Sequence, residues 1–129
     1  MTAAVAITDD QALATLREVV AERPEYVYSA PAYMQEIQDG EDPSCFYVHK
    51  DEDGSIVAAG CAVGVVLNRL GLPLEELVKH EGKTAYQLVN TAPVEVTTKT
   101  RDLLNRMQTH QDSGDPWGLA YAKTTGETI

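Results

Sequence analysis

The sequence predicts an α+β domain that is mostly helical, with about five to six helices beside a small antiparallel β-hairpin or three-stranded sheet. Three observations carry this. Residues 9–23 place Ala12, Leu13, Leu16, Val19 and Val20 at the spacing of one buried helical face. Residues 45–57, CFYVHKDEDGSIV, set a β-rich run and a short apolar return on either side of a glycine-containing turn. Helical stripes then recur from residue 59 to 123, punctuated by glycine and proline. A chain of 129 residues fits one domain with one core, spanning 1–129, with residues 1–8 and 124–129 expected to fray.

Each element has a local reason. Thr8 or Asp9 can cap the 9–23 helix, and Pro24 stops it. Residues 25–31, EYVYSAP, favour an extended strand with Tyr26 and Tyr28 on one face. Residues 32–44 read as a loop, with a helical turn at Tyr33–Ile37 and turn chemistry around Asp39–Pro43. CFYVHK (45–50) and SIV (55–57) form the hairpin about DEDG, where Gly54 can take positive φ. Residues 59–70 continue as an apolar helix in which Gly60 marks the start and Gly64 permits close backbone packing. Gly71 and Pro73 separate it from a helix over 73–82. KTAYQLVN (83–90) makes another short helix, with Ala85, Leu88 and Val89 inward, followed by a loop around Pro93. Residues 98–111 form a helix through Leu103, Leu104 and Met107, capped by Thr97 or Thr98. Asp115 and Pro116 suit the Ncap and N1 of a last helix, PWGLAYAK, with Trp117 anchoring the core.

Composition bounds function. The net charge of −10 is unevenly spread: residues 1–53 hold 12 acids and 3 bases, residues 54–129 hold 8 and 7. An acidic first half repels phosphate backbones and suits either solubility or a basic partner. The longest apolar run, IVAAGCAVGVVL, has 12 residues, short of the ~20 that span a bilayer. MTAAVAITDD lacks the basic start of a secretory leader, so a cytosolic protein is expected.

Four residues could in principle hold zinc: Cys45, His49, Cys61 and His80. Their spacing, C-x3-H-x11-C-x18-H, matches no recognised zinc pattern, so neither metal nor cofactor is expected. Cys45 and Cys61 are expected as buried thiols in a reducing compartment, with a disulfide as the minor alternative. Cys61 near a helix start could be activated beside a histidine, but no thiol-enzyme signature flanks it. Glu75 with Glu76 suits a helix first turn, and Asp51 with Asp53 a hairpin tip, better than acid–base catalysis. There is no GxGxxG, P-loop, GxSxG or HExxH. AVGVVLNRLGLPLEELVKHEG has the outline of a helix-turn-helix. Its second helix carries Glu75, Glu76 and Glu81 against Lys79, the wrong sign for reading DNA, and an αα-corner fits better. The C-terminal part adds a mild basic patch of Lys99, Arg101, Arg106 and Lys123, best read as a solvated face. The aromatic residues near the hairpin, Tyr26, Tyr28, Tyr33 and Tyr47, together with acidic Glu41 and Asp42, mark the expected interaction surface.

Taken together, ALATLREVVAERPEYVY, CFYVH, GCAVGVVLNRLGLPLEEL and the PWG-type ending resemble a group of small uncharacterised proteins of actinobacteria and their phages. The resemblance covers most of the chain and brings no activity or catalytic residues with it. It implies a small accessory protein, often phage-encoded, acting in the bacterial cytosol. The expected function is therefore non-enzymatic: protein–protein interaction with a host component, with homodimerisation conceivable. A DNA-associated regulator built on the αα-corner is the alternative, and a zinc- or thiol-dependent protein using Cys45 and Cys61 is the second.

Overall fold

The computed structural model describes residues 4–29 and 46–129. Ten elements follow in order: β1 (Val5–Ala6), α1 (Asp9–Glu22), β2 (Val48–Lys50), β3 (Ile56–Ala59), α2 (Ala62–Arg69), α3 (Leu74–Val78), α4 (Ala85–Thr91), β4 (Val94–Glu95), α5 (Thr98–Asp112) and α6 (Trp117–Thr125). The fold is α+β and mostly helical, with the antiparallel pair β2–β3 and a separate parallel pair, β1–β4.

The core forms around α2, whose Ala62, Val63, Val66 and Leu67 are fully buried. Leu16, Val19 and Val20 of α1, Leu104 and Met107 of α5, and Trp117, Ala120 and Tyr121 of α6 close over it. Gly64 belongs to this contact: a Cβ there would stand 2.4 Å from the Tyr47 carbonyl oxygen. Close backbone packing is thus the role of Gly64, as its place in an apolar helix suggests.

α1, α4 and α5 start where a side chain caps them. Thr8 and Gln11 make a reciprocal capping box on α1, as do Thr84 and Gln87 on α4. Thr97 accepts from the Thr100 N–H at the start of α5. The Ncap of α2 is Cys61, which gives no side-chain cap. Buried Gln111 of α5 takes that place: its Oε1 accepts from the Ala62 N–H (2.9 Å) and from the Trp117 indole N–H (3.1 Å). One turn earlier, Gln108 Oε1 accepts from Ala85 N–H in α4, and its Nε2 donates to the Tyr47 hydroxyl (2.8 Å). Two buried amides on one face of α5 therefore tie down the first turns of two other helices. A neutral amide suits this role because it offers a donor and an acceptor together.

Several local readings change. Residues 26–29 form no strand. The Pro24 and Tyr26 carbonyls instead accept from Gly118 N–H (2.7 Å) and Trp117 N–H (2.9 Å), satisfying the start of α6. Helix N–H groups need partners, and here that requirement outweighs the β propensity of Tyr-Val-Tyr. Tyr26 then meets Trp117 edge to face at 4.9 Å, with the Arg23 guanidinium 3.7 Å from its ring centre. α6 begins one residue later than expected, with Pro116 as its Ncap. Asp115 pairs with Lys123 at 2.9 Å instead of capping the helix. Residues 5 and 6, expected to fray, pair in parallel with Val94 and Glu95, and Ile7 is buried. Thr124 and Thr125 remain helical up to Gly126, whose φ of 80° ends α6 in the left-handed region. The expected turn at Tyr33–Ile37 lies outside the described residues.

Candidate functional site: the hairpin and its acidic tip

The hairpin is built from its turn outward. Asp51 Oδ1 accepts from the Asp53 and Ser55 N–H groups, both at 2.9 Å, and Gly54 takes φ 85°. This fixes the tip and leaves Glu52 and Asp53 exposed. β2 and β3 pair Val48 with Ala59, His49 with Ala58 and Lys50 with Ile56. Val57 is the extra residue of the resulting bulge.

The two strands differ in their surroundings. β2 starts in the core: Val48 and Tyr47 are fully buried. Glu81, from the turn after α3, reaches across so that Oε1 accepts from Tyr47 N–H (2.7 Å) and Oε2 from Val48 N–H (3.3 Å). Burial pushes the Glu81 carboxyl up to about 7, against the pull of those two N–H groups. β3 carries apolar residues into solvent: Ile56 is 37% exposed and Val57 62%. Among the described residues, β2 is the only strand paired with β3. An exposed apolar strand that follows a turn bearing two exposed carboxylates is unusual for a surface that serves only solubility.

Behind the hairpin, the Tyr28 hydroxyl accepts from Phe46 N–H (3.1 Å) and lies 2.8 Å from His49 Nε2. Desolvation lowers the His49 pKa, which keeps the ring neutral at pH 7. With its proton on Nδ1, the ring accepts the Tyr28 hydroxyl proton at Nε2. Gly60 makes room for this ring, since a Cβ there would meet His49 at 2.6 Å and the Phe46 carbonyl at 2.4 Å. The pair fastens the segment after α1 onto the hairpin. Tyr28→Phe is expected to cost about 1 kcal/mol and to speed amide exchange at Phe46. Unchanged urea stability and unchanged exchange would refute this role.

The sequence-selected residues have separate fates. Tyr47 lies in the core, where its hydroxyl donates to the Lys83 carbonyl at 2.6 Å, so it cannot meet a partner. Phe46, Tyr47 and Val48 are buried in succession as the chain enters β2, so Tyr47 lies inside the core and not on the expected interaction surface. Tyr26 and Tyr28 are half-buried and occupied with Trp117 and His49. Tyr33, Glu41, Asp42 and Cys45 lie outside the described residues. Cys61 is fully buried at the start of α2. His80 is buried elsewhere, with Nδ1 at 3.0 Å from Lys83 Nζ, and desolvation and Lys83 both lower its pKa. Among the described residues, no three His, Cys, Asp or Glu side chains converge as a metal site. The second helix of the αα-corner, expected over 73–82, is confined to Leu74–Val78, with Glu75 and Glu76 in its first turn. Five residues span only about 7 Å.

The apolar face of β3 was missed in the sequence because Ser-Ile-Val read simply as a partner strand. A signal was present: a two-stranded hairpin cannot cover both faces of its second strand. No helix among the described residues is long and apolar enough to cross a membrane. No family model matches the chain, and none of the curated proteins or solved structures matches it significantly.

Proposed function

We propose that this chain is a small acidic accessory protein of the bacterial cytosol, encoded by an actinobacterium or its phage, that acts by binding another protein, in the phage case a host one. The observation that carries this reading is Val57, 62% exposed on a bulged strand that follows the turn bearing the exposed Glu52 and Asp53. The bulge turns an apolar side chain outward on a backbone held by the Asp51 turn, so little ordering entropy opposes contact. The partner this surface fits has an apolar spot flanked by lysine or arginine. The excess of acids in residues 1–53 supports the same polarity and would steer such a partner from a distance. A second copy is a poorer occupant, because net charges of −10 and two acidic tips would meet.

The test is capture from actinobacterial lysate with wild type, Val57→Asp and the double variant Glu52→Lys/Asp53→Lys. Both variants lie at exposed positions, so their melting temperatures are expected to stay within a few degrees of wild type. A specific partner should be recovered by wild type alone, and its capture should weaken as salt rises toward about 0.5 M. Recovery of the same proteins by all three would overturn the reading.

A further inference from the structure

A second feature lies on the helical side of the molecule, away from the hairpin. The first turns of α1, the first half of α5 and the end of α6 enclose a cleft of ≈ 320 Å³. That volume is at the lower end of small-ligand pockets. Leu13 and Leu103 supply apolar lining, and charged groups of both signs surround it.

Three groups in this cleft keep hydrogen-bonding or charge capacity that the fold leaves unfilled. Thr124 is 7% exposed, and its buried Oγ1 has no hydrogen-bond partner among the described residues. A helical threonine ordinarily bonds the carbonyl four residues back, as adjacent Thr125 does with Tyr121 at 2.8 Å. A buried hydroxyl left without a partner calls for an explanation. Arg106, exposed at the cleft, forms no ion pair among the described residues. Asp9 receives the Thr97 hydroxyl and the Thr100 hydroxyl (2.6 Å), both at Oδ1. Those bonds hold its carboxyl below the usual range, so it is anionic, while Oδ2 keeps its acceptor capacity.

We propose that this cleft binds a short zwitterionic peptide with apolar side chains, about a dipeptide in length. Its ammonium meets Asp9 Oδ2, its carboxylate meets Arg106 and the Thr124 hydroxyl, and its side chains rest on Leu13 and Leu103. The spacing of the charged groups sets the length. Thr100, which holds Asp9, and Arg106 are six residues apart on α5, or ~9 Å along the helix. A free amino acid is too short to bridge that gap. A dipeptide extends ~7 Å at about 3.5 Å per residue, and the arginine side chain closes the remainder. The cleft lining mixes both signs, with Asp9, Asp10 and Glu127 beside Lys99 and Arg106, which disfavours a simple anion. This site shares no residue with the hairpin surface, so the two proposals stand or fall separately.

The test is an NMR titration with leucyl-leucine, its N-acetyl derivative, its C-terminal amide and glycyl-glycine. Leucyl-leucine should bind saturably, with shift changes at Asp9, Leu13, Leu103 and Thr124. Blocking either end, or removing the side chains, should weaken binding about tenfold. Thr124→Val, which keeps the side-chain shape, and Arg106→Gln, at an exposed position, should each weaken binding at least severalfold with the fold intact. The absence of saturable shifts up to about 10 mM would overturn the proposal. So would equal binding of the blocked peptides, or unchanged binding by Thr124→Val.

Discussion

Gly64→Ala should destabilise the fold by about 2–3 kcal/mol and lower the melting temperature by roughly 10 °C. Two effects of opposite sign meet at this position. Alanine is favoured over glycine inside a helix by ~1 kcal/mol, so an unobstructed site would gain stability. Here the new Cβ would stand 2.4 Å from the Tyr47 carbonyl oxygen and 3.1 Å from its carbonyl carbon. Relief would require Tyr47 to move, and Tyr47 is fixed at four points. Its N–H donates to Glu81, its carbonyl accepts from Gly60 N–H at 2.9 Å, its hydroxyl donates to Lys83, and Gln108 donates to that hydroxyl. The clash therefore spreads into α4, α5 and the hairpin instead of relaxing locally. Urea unfolding of the two proteins measures the difference. A change below about 0.5 kcal/mol, or a gain, would show that the α2–hairpin contact is looser than this geometry.

How much of this was legible in the sequence depends on which interaction is local. Thr8 with Gln11 and Thr84 with Gln87 are capping boxes within a single turn, and both helix starts follow from them. The Leu16–Val20 stripe and the Asp51–Gly54 turn are likewise short-range patterns, and their elements formed as read. The errors arise where a distant group decides. Tyr26 and Val27 favour a strand by themselves, but the open N–H groups of α6, some 90 residues away, draw the Pro24 and Tyr26 carbonyls. Gln108 and Gln111 look like the polar face of an amphipathic helix. Only the unsatisfied starts of α2 and α4 reveal why two amides are buried. The parallel β1–β4 pair joins segments 89 positions apart in register, and two-residue strands give no periodicity to read. The candidate surfaces follow the same rule. Tyr47 is aromatic and near the hairpin, yet the direction of its side chain is set by β2 docking on the core. The apolar face of β3 and the orphan hydroxyl of Thr124 are defined by what fails to cover them, which no single segment encodes.

Glu81 offers the second large effect, and its sign discriminates between two physical accounts. Its carboxylate accepts two backbone N–H groups, which favour the charged form, while burial favours the neutral form. Burial dominates, raising the folded value to about 7 from the ordinary 4.5. Between those two values the folded protein holds a proton that the unfolded chain has released. Stability from this group therefore falls as pH rises from 4.5 toward 7 and is level above that. The full shift at ~1.4 kcal/mol per unit must be discounted because part of the carboxyl remains in solvent, which leaves about 1–2 kcal/mol. Repulsion within a chain of net charge −10 adds a background slope of the same sign. Comparison with Glu81→Gln removes that background at low pH, because glutamine imitates the protonated side chain, with one acceptor left for Tyr47 or Val48. The variant is expected to match wild type at about pH 4, below both values, and to exceed it by about 1–2 kcal/mol at pH 8. Urea unfolding at both pH values reads the difference directly. If Glu81→Gln is instead the less stable protein at pH 8, the two N–H bonds outweigh desolvation, and the carboxylate holds the edge of β2 as an anion.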